Sequence, residues 1–576
     1  MYKEKYKNWM NSNFLDLELK KELEHLVDEK EIEDRFYKDL EFGTGGLRGL
    51  IGAGTNRMNI HTIGKATQGL ADYLNTRYKG DISVSIAYDS RNMSKEFAKA
   101  AAETLCGNGI YVNLFEELTP TPILSYAVRE LQSKAGIVIT ASHNPKEYNG
   151  YKVYGEDGGQ VTDEVAKEII TYADNIKDFS KVKIIELNKA KTSGMLKIIG
   201  EDVYLSYIHK LKNLTIRKDL VAEYAKNLKI IYTPIHGSGN IPVRRILKEL
   251  GYENVSVVTK QEMPDGNFPT APYPNPEEPK VFELALEMAK DINPDIIFGT
   301  DPDCDRIGVV VKDKEGKYRV LTGNQTGVLL SNYILSSLSE TNQLPNNGVV
   351  IKTIVTTDMV EGIGKKYNVE VLDVLTGFKY IGEKVKEFEE LGEKNFIFGF
   401  EESFGYLAGD FVRDKDAVIA AMLICEMTLY YKNKGMSLYD ALMDIYEEYG
   451  YYRESLISIE MKGKYGAEKI SGILEYLRHS MKEIIGSNKI IKKIDYRVGL
   501  ENDLVTSEEK IIKLPKSNVL KFVLENGSWL VVRPSGTEPK MKIYLSVKGS
   551  SLEDTSKRII KLKEDVMSIV EKACIN

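Results

Sequence analysis

The residues able to do chemistry in this chain stand where apolar runs end. Gly136 to Thr140 is a short β-branched apolar run of the kind a buried parallel strand shows, and it gives way to Ala-Ser-His-Asn-Pro. Ser142 therefore falls on a loop just past a strand's carboxyl end, with His143 next and Lys152 further along. In open α/β sheets that edge is where ligands bind, so the hydroxyl is a candidate nucleophile; taken alone it serves equally well as the cap of a turn. Two other stretches repeat the design, PDIIFGTDPDCDR from Pro294 to Arg306 and KNFIFGFEESFG from Lys394 to Gly405. Three similar strand ends point to three similar domains whose loops differ in chemistry.

The second loop places Asp301, Asp303 and Asp305 at alternate positions, which in an extended segment points three carboxylates one way. Such a set suits a hard divalent cation, Mg2+ in phosphate chemistry, and bare carboxylates crowded at a strand end would otherwise repel. A calcium loop of the EF-hand kind also begins D-x-D-x-D, but it needs glycine and glutamate where this chain has Arg306 and Lys312. In the third loop Glu401 and Ser403 suit vicinal sugar hydroxyls. Lys415, in the following VRDKDA, suits a phosphate, and Asp416 reads as the N-cap of a helix over Ala417 to Tyr431, leaving Lys415 free. A fourth feature, RPSGTEPK from Arg533 to Lys540, follows a strand over Ser528 to Val532 and gathers an arginine fork, the hydroxyls of Ser535 and Thr537 and the amide of Gly536. Those are phosphate-binding donors.

Glu41 to Met58, EFGTGGLRGLIGAGTNRM, has the look of a backbone cradle that sets Arg48 on an anion. It fits neither the dinucleotide fingerprint nor the P-loop, and the other reading is a tight chain crossing with Arg48 in solvent. Around these loops the chain alternates as β/α/β units do: a helix over His61 to Tyr78, a strand over Ile82 to Ala87, a helix over Ser94 to Cys106. Residues 2 to 40 are charged with helical apolar spacing, one or two surface helices, and the segment from Thr162 to about residue 200 reads as a helix and a charged tail.

A length of 576 residues asks for about four domains. We expect boundaries that give segments 1–203, 204–323, 324–449 and 450–576. The net charge of −7 and the lack of a basic run argue against nucleic acid, and the four scattered cysteines form no zinc or disulfide framework. The start has no signal-peptide core, and the longest apolar run, Ala417 to Cys425, is too short to cross a membrane. The expectation is a cytoplasmic enzyme; oligomeric state is not legible.

TASHNP, DPDCDR, a glutamate-serine loop and RPSGTEP, in that order, resemble the α-D-phosphohexomutases, the phosphoglucomutases and phosphomannomutases. The resemblance implies an α/β architecture of three related mixed-sheet domains plus a smaller α+β C-terminal domain around a central cleft. It implies a phosphorylated Ser142 flanked by His143, Mg2+ held by Asp301, Asp303, Asp305 and the Ser142 phosphate, and Lys152 as general acid/base. It also implies a cleft lined by Thr44, Arg48, Arg306, Thr376, Lys379, Lys415 and the Arg533 to Thr537 loop, with Glu401 and Ser403 on the sugar. The expected reaction interconverts glucose 1-phosphate and glucose 6-phosphate, with glucose 1,6-bisphosphate as intermediate and activator. GFEESFG and GTGGLRG resemble a longer branch that includes phosphopentomutases, so pentose or mannose phosphate is the alternative. A serine hydrolase fits less well, because Ser142 follows Thr-Ala rather than standing in G-x-S-x-G, and a sugar-phosphate sensor needs no nucleophile.

Overall fold

The structure, a computed structural model, describes residues 2–43, 46–461, 463–481, 483–534 and 540–575. It divides into two compact units, Met1–Thr326 with Phe378–Leu438, and Gly327–Gly377 with Tyr439–Asn576.

In the first unit, β1 (Phe42–Gly43), β2 (Gly46–Leu50), β3 (Ser83–Tyr88), β4 (Tyr111–Phe115), β5 (Ala135–Ile139), β6 (Tyr148–Gly155) and β7 (Leu196–Ile199) make one sheet in the order β1-β2-β6-β5-β3-β4-β7. From β5 through β3 and β4 to β7 the pairing is parallel, and β6, β2 and β1 join antiparallel. A second sheet contains β8 (Ile230–Thr233), β9 (Val255–Val257), β10 (Ile296–Thr300), β11 (Ile307–Lys312) and β12 (Tyr318–Val320) in the order β12-β11-β10-β8-β9. Next in sequence, β13 (Gly348–Thr353) and β14 (Glu370–Val374) belong to the second unit, and the first resumes with β15 (Asn395–Glu401) and β16 (Gly405–Ala408).

The three apolar runs turn out to be the first arms of three antiparallel hairpins, β5–β6, β10–β11 and β15–β16. Every residue of β5 and β10 is buried, as strands covered on both faces must be, so charged side chains are excluded from these arms and collect in the connections. The repeat seen in sequence is therefore a repeat of hairpins, and the return arms β6 and β11 make their sheets mixed.

Some local expectations are refined. The charged N-terminal segment folds into three helices, Tyr2–Met10, Leu17–Glu24 and Glu29–Phe36, closed over a small core of Trp9, Leu15, Leu23 and Phe36. The charged tail before residue 200 ends in β7, an edge strand of only four residues and too short to stand out in sequence. Asp416 caps the helix Ala417–Asn433 by accepting from the amides of Val418 and Ile419, both at 2.9 Å.

In the second unit β13 and β14 are parallel. The C-terminal strands β17 (Tyr451–Glu460), β18 (Ile484–Ile485), β19 (Asn488–Asp495), β20 (Leu500–Asp503), β21 (Glu509–Ile511), β22 (Leu520–Leu524), β23 (Trp529–Pro534) and β24 (Lys540–Gly549) are joined by antiparallel pairings. An ion-paired lysine on β13 and two hydrogen bonds from the C-terminal strands connect this region to their sheet. Lys352 pairs with Asp373 at 2.7 Å and Asp358 at 2.9 Å, Asp358 accepts from Trp529 Nε1 at 2.8 Å, and Lys521 donates to the Ile354 carbonyl at 3.2 Å.

Candidate active site

Ser142 follows β5 with φ = +51°. For a serine that conformation costs about 1–3 kcal/mol and persists only where the surroundings dictate it. They do: Ser142 N–H donates to Thr140 Oγ1 at 2.8 Å, and the Ser142 carbonyl accepts from Arg91 Nε at 3.1 Å and Nη2 at 2.6 Å. Arg91 also donates to the carbonyls of Asn144, Pro145 and Tyr148, so one buried guanidinium holds the whole connection between β5 and β6. Sequence reading missed Arg91. The signal was available, because DSR follows the buried strand β3 as SHN follows β5.

The Ser142 hydroxyl donates to Asp301 Oδ2 at 2.7 Å and lies 3.1 Å from His143 Nδ1. Burial, then the charges of Arg306 and Arg48, hold the His143 imidazole well below its ordinary pKa. It is a neutral ring at working pH, able to accept a proton at Nδ1 in the Nε2–H tautomer.

Asp301, Asp303 and Asp305 converge, but not by alternation in an extended segment. The connection between β10 and β11 is a tight turn: Cys304 has φ = +53°, its amide donates to the Asp301 carbonyl at 2.9 Å, and the amides of Asp305 and Arg306 fold back onto Asp301 Oδ1 at 3.1 and 3.0 Å. Candidate ligand oxygens from the three residues lie within 4.8 Å of one another, all buried. Thr121, at the first turn of the helix Thr121–Glu130, steadies the turn with its amide on the Asp303 carbonyl at 2.9 Å and its hydroxyl on Asp303 Oδ2 at 3.0 Å.

Two ammonium groups lean on this cluster. Lys152 Nζ, from β6, is 2.9 Å from Asp303 Oδ2 and 3.4 Å from Asp305 Oδ2; Lys415 Nζ is 3.2 Å from the same Asp305 oxygen. The expectation of a free Lys415 is thus corrected: capping by Asp416 leaves the Lys415 ammonium to Asp305 and Asp414. Burial would raise the Asp305 carboxyl, but Lys415, Lys152 and Arg306 outweigh it and hold it below the usual range. Asp301 is pushed well up, by burial and then by Asp303 and Asp305. Burial disfavours a charged Lys152, yet Asp303 and Asp305 win and raise its pKa.

Asp303 Oδ1 and Asp305 Oδ1 are buried with no hydrogen-bond partner among the described residues, the Arg306 guanidinium standing 3.7 Å from the latter. Anionic oxygens so placed are costly unless a cation meets them, and three carboxylates beside a hydroxyl are the donor set of a hard divalent ion. The residues fit Mg2+.

Around the cluster, Arg306 pairs with Glu277 at 2.8 Å, and Ser403 donates to the buried Glu401 at 2.8 Å. Arg48 reaches Asn144 Oδ1 at 3.3 Å from β2, which pairs with β6 so that Gly46 faces Lys152. Within the glycine-rich segment β1 and β2 are strands and residues 52–57 are bends and turn, and Gly46 makes room for the pairing: a Cβ on it, at φ +150°, would stand 1.8 Å from the Tyr151 carbonyl oxygen. Lys379 donates to Asp163 at 2.6 Å. Thr376 and Arg533 belong to the second unit, where the Thr376 hydroxyl is buried and Arg533 lies within β23 rather than beyond it. Thr44, Ser535, Gly536 and Thr537 lie outside the described residues. Among the described residues no helix is long and apolar enough to cross a membrane.

Comparison with known proteins agrees across the chain. Four family models match in order: phosphoglucomutase/phosphomannomutase alpha/beta/alpha domain I at residues 39–179, domain II at 205–316, domain III at 322–449, and the C-terminal domain at 492–558. A phosphoglucomutase of Staphylococcus haemolyticus is 39% identical over 92% of this chain and 94% of its own, and one of Staphylococcus epidermidis is 37% identical over 94% and 96%. The crystal structure of the Paramecium phosphoprotein parafusin, a phosphoglucomutase, shares the fold with a TM-score of 0.66 at 18% identity, covering 93% of this chain and 96% of that one.

Proposed function

The chain belongs to the phosphoglucomutase/phosphomannomutase family and is a mutase, and from that premise we propose that it interconverts glucose 1-phosphate and glucose 6-phosphate through a phosphorylated Ser142 and a glucose 1,6-bisphosphate intermediate. One observation carries the reading: the Ser142 hydroxyl, on a strained turn, lies 2.7 Å from one of three clustered, buried aspartates. Asp301, Asp303, Asp305 and the Ser142 phosphate hold Mg2+, which when bound neutralises charge on the phosphoryl oxygens.

In the forward half-reaction a sugar hydroxyl attacks the phosphorus; its O–P bond forms as the Ser142 Oγ–P bond breaks. The hydroxyl proton passes to a base, and the freed Ser142 Oγ gains one. Lys152, charged and held by Asp303 and Asp305, suits proton donation and charge neutralisation. In the return half-reaction, when Ser142 Oγ attacks the other phosphate of the bisphosphate and the sugar O–P bond breaks, neutral His143 suits acceptance of the serine proton. Arg48, Arg306, Lys379 and Lys415 with Thr44 and Thr376 bind phosphate and sugar oxygens, Glu401 and Ser403 hold the sugar, and Arg533, Ser535, Gly536 and Thr537 clamp the phosphate that is not being transferred. Glucose 1,6-bisphosphate serves as activator by rephosphorylating Ser142. The four functional segments run 1–203, 204–323, 324–449 and 450–576, in a cytoplasmic enzyme that binds neither nucleic acid nor membranes.

Assayed side by side with Mg2+ and a trace of bisphosphate, glucose 1-phosphate is expected to turn over faster than mannose 1-phosphate or ribose 1-phosphate. Faster turnover of ribose 1-phosphate would reassign Glu401 and Ser403 to a pentose ring, and turnover of none would end the mutase proposal.

A further inference from the structure

Lys415 reaches the carboxylate cluster on a long flexible stem, and a lysine so placed gains nothing unless its ammonium is held. Several groups hold it. Its stem passes over Gly405, where a Cβ would stand 2.2 Å from Lys415 Cδ, and its ammonium is 5.5 Å from the Phe378 ring centroid. Asp414, almost wholly buried, accepts at Oδ1 from the Lys415 amide at 2.8 Å and from its ammonium at 3.1 Å. The other oxygen, Asp414 Oδ2, accepts from the hydroxyl of buried Tyr154 at 2.7 Å. Tyr154 stands two residues beyond Lys152 on β6, so a single strand supplies both the lysine that faces Asp303 and the tyrosine that orients Asp414.

From this geometry we infer that Tyr154 and Asp414 are a positioning pair, which sets the Lys415 ammonium against Asp305 and so readies it for the phosphoryl oxygens. Charge supports the inference. Lys152 and Lys415 share one oxygen of Asp305, at 3.4 and 3.2 Å, and the Asp414 carboxylate offsets the repulsion between the two cations. Tyr154 fixes which oxygen of Asp414 faces the lysine. Their side-chain hydrogen bonds run to one another and to Lys415, through which both act. The inference rests on the proposed role of Lys415 at a phosphate.

The test is a double-mutant cycle on the full-length enzyme with glucose 1-phosphate and Mg2+. Tyr154→Phe is expected to lower kcat/KM about tenfold, the worth of one hydrogen bond to a charged group, and Lys415→Met to lower it about a hundredfold or more. Asp414→Asn, which keeps an acceptor for the Lys415 amide, should retain more activity than Asp414→Ala. Combining Tyr154→Phe with Lys415→Met should cost nothing beyond Lys415→Met alone, because the pair has nothing left to position. Losses that multiply in the double variant would overturn the inference and leave Tyr154 a general packing residue. If Lys415→Met turned over normally, the role of Lys415 would fall and the positioning pair with it. Normal activity of Tyr154→Phe beside an impaired Lys415→Met would sink the pair alone. Near-UV circular dichroism of each variant separates these effects from misfolding.

Discussion

At the level of single residues, position decides what each group can do. In the proposed mechanism Ser142 is placed to accept a phosphoryl group because it stands just past the end of β5, because Arg91 anchors its carbonyl and because Asp301 accepts its hydroxyl's hydrogen bond. Ser142→Ala should cut turnover by about a thousandfold or more while isothermal titration still detects sugar-phosphate binding, since the group removed reacts but does not hold the sugar. Asp416 gives a pH prediction. Burial pushes its carboxyl up to about 7, against hydrogen bonds from Tyr207 and two helix amides. A carboxyl whose folded pKa lies above its unfolded value binds its proton more tightly when folded, so stability falls as pH rises between about 4 and 7, by at most about 4 kcal/mol. Denaturant melts of wild type and Asp416→Asn at pH 5 and pH 8 should show that loss in wild type and a smaller one in the variant, whose amide cannot ionise. Ser142 and the aspartates were legible because residue type and strand end coincide. Arg91, Thr121 and Asp414 were not, because their work is done through backbone carbonyls and neighbours brought in from distant segments.

Hairpins are the elements that place these residues. Three apolar runs declared themselves as buried strands, and each polar connection follows from what a strand buried on both faces excludes. The return arms were harder to read, since β6 mixes Lys152 among apolar residues and answers two neighbours at once, β5 and β2. The same holds for Gly46, read as part of an anion cradle but needed where β2 crosses β6. Gly46→Ala would drive a methyl into the Tyr151 carbonyl at a backbone angle side chains avoid. We expect it to cost about 3 kcal/mol in urea unfolding, and to lower kcat because Lys152 sits opposite in the register. Unchanged stability would mean that β2 and β6 do not meet in this way. The convergence of the carboxylates from Asp301 to Asp305 was legible from residue type alone, yet the shape of the turn was misread. What brings the three together is a left-handed Cys304 and two amides on Asp301, which no alternation of side chains announces.

At the scale of the whole molecule, the order of the four motifs carried more than any one of them, and the family models match in the same order. The compact units follow a different logic from the motifs. Residues 327–377 cluster with the C-terminal sheet, where Trp529 donates to Asp358, itself paired with Lys352, and Lys521 donates to the Ile354 carbonyl, hydrogen bonds between distant segments that leave no local pattern. A ligand that binds only the folded state should stabilise the molecule as a whole. Mg2+ at about a hundred times its dissociation constant is expected to add about 2.7 kcal/mol and raise the melting temperature of wild type, but not of Asp303→Asn. An equal rise in both would place the cation elsewhere.

The central claim is that Ser142 carries the phosphoryl group between the two positions of the sugar. Its most direct test is to incubate the enzyme with glucose 1,6-bisphosphate and Mg2+, remove the excess, and map the phosphate by peptide mass spectrometry before and after adding glucose 1-phosphate. The account predicts one phosphoryl group, on Ser142, that is chemically competent and passes to the sugar. Phosphate on another residue, or steady turnover with Ser142 never phosphorylated, would contradict it.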